Sequence, residues 1–276
     1  MTKIGTVLAG LIALAAMTAA ADEIQWEKSF KPALEKAKKE NKALMVDFYT
    51  EWCGWCKKLD KDTYPAPKVV ALSKRMVNIK IDAEKGEGVD LAKKYEVRGY
   101  PTILFLDGTG KVVGRIGGYM PADPFADEVT RILDDFRDFP DLKKKADANP
   151  KDVESNARLA AILAGRGEIK EAEKRLKTAE AADAKNAALA RAYNAIGDHW
   201  QNAEEYEKAR GYFEKVAKVA RGGYDLAYAR ISIAACFFSE DKMPEAKPYL
   251  QALLDQEDAP QDLKDSAKRM LEAIDS

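Results

Sequence analysis

Leu44 to Tyr49 is an apolar run interrupted by one acid, Asp47, and it leads straight into Thr50-Glu51-Trp52-Cys53-Gly54-Trp55-Cys56-Lys57. A strand that hands over to a helix-compatible run, with two cysteines three residues apart at the junction, constrains this fold more than any other stretch. Residues i and i+3 share a helix face. Cys53 and Cys56 therefore fall within the Cα separation of about 4.4–6.8 Å that a disulfide needs. Cys53 would occupy the helix N-terminus, where unpaired backbone N–H groups and the dipole favour an anion. The thiolate is the form that attacks disulfides, so the box reads as a redox switch and not a staple. Taken alone the spacing is weak, because zinc sites use it too.

The flanking pattern alternates helices and strands. Lys28 to Asn41 carries helical apolar spacing at Phe30, Ala33, Leu34 and Ala37, with Pro32 in its first turn. Val77–Ile81 reads as a strand and Asp90–Tyr95 as a short helix. Thr102–Leu106 and Val112–Ile116 read as strands joined by the turn Asp107-Gly108-Thr109-Gly110. Pro121 to Phe136 reads as a closing helix. The expected class is a mixed α/β layer fold. Asp47, inside an apolar strand, is either partly solvated at the strand edge or a buried carboxyl with a raised pKa. In the second case it could accept and return a thiol proton during exchange.

Asp47, Trp52, Cys53, Gly54, Cys56 and Lys57 resemble the active-site segment of thioredoxins, and Val97-Arg98-Gly99-Tyr100-Pro101-Thr102 is similar to that family's cis-proline segment. With Thr63-Tyr64, Asp107-Gly108-Thr109-Gly110 and Gly117-Gly118-Tyr119, the text looks closest to the subgroup that includes the C-terminal thioredoxin domain of the thiol:disulfide interchange protein DsbD. The resemblance covers roughly residues 24–139. It implies an α/β thioredoxin fold in which Cys53 attacks, Cys56 resolves and Asp47 handles the proton of Cys56. It also implies that the Tyr100-Pro101 loop binds substrate. Trp52 and Trp55, aromatics next to Cys53, read as further substrate-binding residues, an exposed indole beside the nucleophile making a contact platform for a protein. No organic cofactor is implied beyond the redox-active Cys53–Cys56 disulfide, and electrons would come from a membrane thiol reductant. Two positions depart from the family. Trp55 stands where thioredoxins carry proline, and Asn78 stands where the family has the lysine partner of the buried acid. Lys80, two residues on, lies on the same face of its strand.

After Pro140 the composition turns to Ala, Glu and Lys, and Asn149-Pro150 marks a further break. Ala172, Ala209 and Ala246 stand 37 residues apart, as do Leu176, Phe213 and Leu250, and Ala160, Gly197 and Ala234. Helix pairs are expected near 152–164 with 168–182, 187–201 with 204–220, and 225–239 with 242–254, closed by a helix at about 261–274. The units resemble tetratricopeptide (TPR) repeats, which implies an all-α array with a protein partner on its concave face. A spacer or dimerisation module is the alternative. Pro248 is awkward inside its helix. Cys236, among Ile233, Ala234, Ala235, Phe237 and Phe238, reads as a packed, inert thiol, and His199 as structural or solvated.

The 276 residues carry 45 basic and 46 acidic side chains, so nucleic acid is not an electrostatically favoured partner. One His and three Cys leave little for a metal site. Lys3, the apolar run Ile4–Met17 and Ala19-Ala20-Ala21 before Asp22 read as a cleaved signal peptide, with an uncleaved membrane anchor as the rival. The expected organisation is a signal peptide at 1–21, a thioredoxin-like domain at 22–139 and TPR-like repeats with a cap at 150–276. Export, to the bacterial periplasm, places the dithiol in an oxidising compartment where reduction needs an outside source of electrons. The function expected is an exported thiol–disulfide oxidoreductase that reduces substrate protein disulfides. The alternatives are an oxidase or isomerase using the same cysteines, and a non-catalytic TPR adaptor.

Overall fold

The structure is a computed structural model that describes residues 23–275; the expected signal peptide at 1–21 lies outside the described residues. The described residues hold one five-stranded sheet: β1 (Trp26–Glu27), β2 (Leu44–Tyr49), β3 (Val77–Asp82), β4 (Thr102–Leu106) and β5 (Val112–Gly117). Its order is β1-β3-β2-β4-β5, with β1 and β2 parallel to β3, β4 antiparallel to β2, and β5 antiparallel to β4. Strands buried on both faces read as continuous apolar runs, which is how β2 and β4 read. Side chains alternate between the two faces. Leu44, Val46, Phe48, Leu104 and Leu106 pack with Phe30, Ala33 and Ala37 of helix α1 (Phe30–Glu40). Met45, Ile103 and Phe105 join the opposite core, with Leu59, Tyr64, Val69 and Phe125.

The cysteines open α2 (Gly54–Lys58), which passes into a π-helical turn at Leu59–Thr63, where the Tyr64 N–H donates to the Leu59 carbonyl at 3.0 Å. Then come α3 (Pro67–Ser73) and, after β3, α4 (Glu87–Lys94). The π-turn, α3 and the two-residue β1 are absent from the pattern expected above.

A larger difference lies in the closing helix. α5 spans Ala122–Ala148, through Pro140, instead of ending near Phe136. Proline in a helix interior costs about 3 kcal/mol or more, and burial at both ends of α5 outweighs it. Phe125, Val129, Ile132 and Leu133 sit in the sheet's core, whereas Leu142 and Ala146 sit in the core of the helical half. One helix thus belongs to both halves. Beside the join, the buried carboxylate of Asp135 pairs with Arg131 at 3.4 Å, with Arg158 of the next helix at 3.1 Å, and with Arg191.

The helical half consists of α6 (Val153–Gly165) with α7 (Ile169–Ala182), α8 (Leu189–Asn202) with α9 (Tyr206–Val219), and α10 (Gly223–Ser239) with α11 (Met243–Leu254), followed by α12 (Gln261–Asp275). α11 accommodates Pro248 inside it. The 37-residue spacing reappears in the turns within each pair. Gly167, Glu204 and Asp241 take left-handed φ of 75°, 62° and 56°. The next residue's N–H closes the preceding helix each time: Glu168 to Leu163, Glu205 to Trp200 and Lys242 to Phe237, all at 2.9 Å. That six-to-one bond is a common helix stop. Cys236 is buried in this core, and His199 lies edge-on to Trp200.

Small residues let the paired helices approach. A Cβ on Gly197 of α8 would lie 2.5 Å from the ring of the buried Phe213 of α9. Gly197→Ala should therefore destabilise the fold by about 1–3 kcal/mol through overpacking, despite alanine's better helix propensity. Gly211 in α9 faces open space, so Gly211→Ala should stabilise by about 0.5–1 kcal/mol. Urea unfolding of the two variants reads the opposite signs; a stabilised Gly197→Ala would contradict the packing described.

Candidate active site

β2 ends at Tyr49, and the chain turns so that the Cys53 N–H donates to the Thr50 carbonyl at 3.2 Å. Cys53 caps α2, and the Cys56 N–H donates to the Cys53 sulfur at 3.0 Å. The two cysteines form a disulfide with their Cα atoms 5.3 Å apart. A backbone N–H aimed at Cys53 Sγ would stabilise a thiolate there once the disulfide opens. Both cysteines are only 4% exposed, and the large apolar side chains exposed at the box are Trp52 at 67% and Trp55 at 59%.

Each tryptophan is braced. The Trp52 indole N–H donates to both oxygens of Glu84, at 3.0 and 3.1 Å, and its ring meets Tyr100 edge-on at 5.9 Å. Trp55 stacks on Tyr119 at 5.5 Å, and the Lys58 ammonium lies 5.0 Å from the Tyr119 ring centre. The Tyr100–Pro101 bond is cis, and the Pro101 carbonyl accepts from the Gly118 N–H at 2.8 Å. The fold thus brings Trp52 and Tyr100 together and pairs Trp55 with Tyr119. Tyr119 and Glu84 were not among the expected site residues. For Tyr119 the signal was its place in Gly117-Gly118-Tyr119 just after a strand; nothing local marked Glu84.

Asp47 is 1% exposed and lies opposite Lys80 in the parallel register of β2 and β3. Lys80 Nζ is 3.5 Å from Asp47 Oδ2 and also pairs with Asp60 on the π-turn. The rings of Trp26, Tyr49 and Tyr64 surround this ammonium at 5.6, 5.2 and 5.5 Å. Asn78, at the family's lysine position, instead donates to the Ser73 and Gln25 carbonyls at 3.1 and 3.3 Å. The Tyr64 hydroxyl is buried beside the Asp47 carboxyl. Burial raises the Asp47 carboxyl to about 6 against the opposing pull of the Lys80 ammonium. Burial, then the neighbouring Asp47, pushes Tyr64 well above its ordinary value.

The other candidates sit apart from this centre. Burial pushes the Cys236 thiol up to about 11, and burial lowers His199. No cluster of metal-ligating side chains occurs among the described residues.

Asp47 makes stability depend on pH. Because its folded value of about 6 exceeds its ordinary 3.8, the folded chain holds a proton that the unfolded chain has released. The stability from neutral Asp47 is complete below the unfolded value and is lost as pH rises through the folded one. Asp47→Asn should therefore raise the unfolding free energy above pH ~7 by up to about 3 kcal/mol, at ~1.36 kcal/mol per pKa unit, and change it little near pH ~3.5. Urea titrations of the oxidised protein at both values test this; equal effects would contradict the assignment.

A profile described as a thioredoxin-like domain matches residues 30–133. A thiol:disulfide interchange protein DsbD from Vibrio vulnificus (strain CMCP6) is 37% identical over 103 residues, which is 36% of this chain and 17% of that protein. A protein disulfide-isomerase from Datisca glomerata is 38% identical over 85 residues, 30% of this chain and 17% of that protein. Among solved structures, the oxidised C-terminal domain of Neisseria meningitidis DsbD is 28% identical, with 37% of this chain and 90% of that one covered and a TM-score of 0.33. The chain thus spans about a sixth of the length of these curated relatives. The profile and the sequence matches fall on the α/β half described above, so residues 30–133 carry a thioredoxin-like domain.

Proposed function

We propose that the protein is an exported thiol–disulfide oxidoreductase that reduces disulfides in substrate proteins. The observation that carries this reading is the Cys53–Cys56 disulfide with the Cys56 N–H on Cys53 Sγ, next to exposed Trp52 and Trp55, with Trp52 edge-on to Tyr100 of the cis-proline loop. In the reduced protein the Cys53 thiolate attacks one sulfur of a substrate disulfide. A Cys53–substrate disulfide forms, and the other substrate sulfur leaves as a thiolate. Cys56 then gives its proton to ionised Asp47, and its thiolate attacks the Cys53 sulfur. The Cys53–Cys56 disulfide closes and the second substrate thiolate departs, so the substrate gains two electrons and the protein loses two. The reverse exchange with a membrane thiol reductant resets the pair. A carboxyl at about 6 suits a group that must take up and return a proton near neutral pH.

Trp52, Trp55, Tyr100 and Pro101 are assigned to substrate contact, Tyr119 supporting Trp55. Rigid aromatics with exposed faces provide contact area at low entropic cost. The helical half, with its TPR-like repeat, is assigned to holding a protein partner. Trp55 in place of the family's proline also supports a second reading, oxidation or isomerisation through the same cysteines, because residues inside the box influence the potential. A cleaved signal peptide would place the protein in the periplasm.

Cys53→Ser should abolish insulin-disulfide reduction. Cys56→Ser should accumulate a mixed disulfide with substrate that non-reducing electrophoresis resolves, and Cys236→Ser should keep near-wild-type activity. Reduction surviving in Cys53→Ser would remove it as the nucleophile, and a large loss in Cys236→Ser would implicate a thiol outside the box.

A further inference from the structure

The turn between α8 and α9 lies against the loop that ends in Tyr100–Pro101. Arg98 Nη1 donates to the Asn202 carbonyl and to Glu204 Oε1, both at 3.2 Å. Glu204 holds a left-handed φ of 62°, where its counterpart one repeat earlier is Gly167 at 75°. Both residues end their helix in the same way. Left-handed backbone is unfavourable for a residue with a side chain and easy for glycine. Glycine would thus suit the turn itself, and what the glutamate adds is a side chain that reaches Arg98.

The rest of the loop is held from within the α/β half. Arg115 donates to the Tyr95 carbonyl, Thr102 Oγ1 to the Gly99 carbonyl, and the Gly118 N–H to the Pro101 carbonyl, each at 2.8 Å. Arg98 lies between the first two of these ties and is held from the helical half instead. The turn approaches from a fixed position, because the helical half is anchored at two other places. Lys111, just before β5, pairs with Glu168 at 2.7 Å, and Asp135 of α5 pairs with Arg158 and Arg191.

We propose that Arg98 and Glu204 are positioning residues through which the helical half fixes the 97–101 loop for engagement of protein substrates. This rests on the reading that the loop contacts substrate. A protein disulfide must dock on the loop as well as meet Cys53, whereas a small aromatic disulfide needs only the thiols. The ion pair is exposed, 64% at Arg98 and 70% at Glu204, so its effect is modest, about two- to fivefold.

The full-length chain tests this with Arg98→Ala, Arg98→Lys, Glu204→Gly and the Arg98→Ala/Glu204→Gly double variant. Initial rates are followed with insulin and with 5,5′-dithiobis(2-nitrobenzoate), and melting temperature is recorded for each. Arg98→Ala and Glu204→Gly should each raise KM for insulin about two- to fivefold, with kcat for insulin and the rate with the small disulfide unchanged. The double variant should be no worse than the poorer single one, Arg98→Lys should restore most of the loss, and Glu204→Gly should not lower the melting temperature. An unchanged insulin KM in both single variants would overturn the proposal. So would a parallel loss with the small disulfide, because the dithiol itself would then be disturbed. A wild-type protein that reduces neither disulfide would overturn the redox reading, and this proposal with it.

Discussion

The burial of β2 on both faces is the constraint on which the rest of the redox centre depends. Leu44, Met45, Val46 and Phe48 are fully buried in mid-sheet, so the strand has one position and one register. Alternation then sends Asp47 to the face lined by Met45, Leu59 and Tyr64, and the next turn delivers Cys53 to the start of α2. Desolvation and the Lys80 ammonium act on Asp47 in opposite directions. Desolvation wins, leaving the carboxyl at about 6 and not in its ordinary range. Lys80 achieves only partial compensation because it is shared with Asp60. A fully paired carboxylate would be a poor proton acceptor, and an unpaired one would stay protonated.

Features that depend on near neighbours in the chain were legible beforehand. The strand-to-cysteine junction, the Tyr100–Pro101 segment and the 37-residue repeat are all local or periodic, and the repeat placed seven helices within a few residues of where they lie. Features that depend on the fold were not. A two-residue strand such as Trp26–Glu27 is too short to show alternation; its pairing with β3 creates it. The π-turn inserts one extra residue in a helical path, which no spacing rule reveals, yet it puts Asp60 within reach of Lys80. Lys80 itself was legible as a residue on the correct face. Its engagement with Asp47 follows from the register of two strands more than thirty residues apart.

Pro140 carries the sharper lesson. Read locally, proline before a run of three lysines stops a helix. In the fold, Phe125 to Leu133 are gripped by one core and Leu142 and Ala146 by another. Burial at both ends outweighs the lost hydrogen bond. With no flexible break in α5, the paired helices are part of the same framework as the sheet. Asp135 and its three arginines hold the join. Fixed geometry of this kind lets a turn of the helical half rest on a loop beside the dithiol.

The direction of electron flow separates the proposed reductase from an oxidase built on the same residues, and the reduction potential of the Cys53–Cys56 couple reports it most directly. Equilibration in graded dithiothreitol or glutathione redox buffers, followed by acid quenching and alkylation of free thiols, gives the fraction reduced. Cys236, buried and unreactive, should add a constant background. A midpoint near the thioredoxin level of about −270 mV is the result predicted; one near −120 mV, the level of a strong disulfide oxidant, would contradict the reductive account.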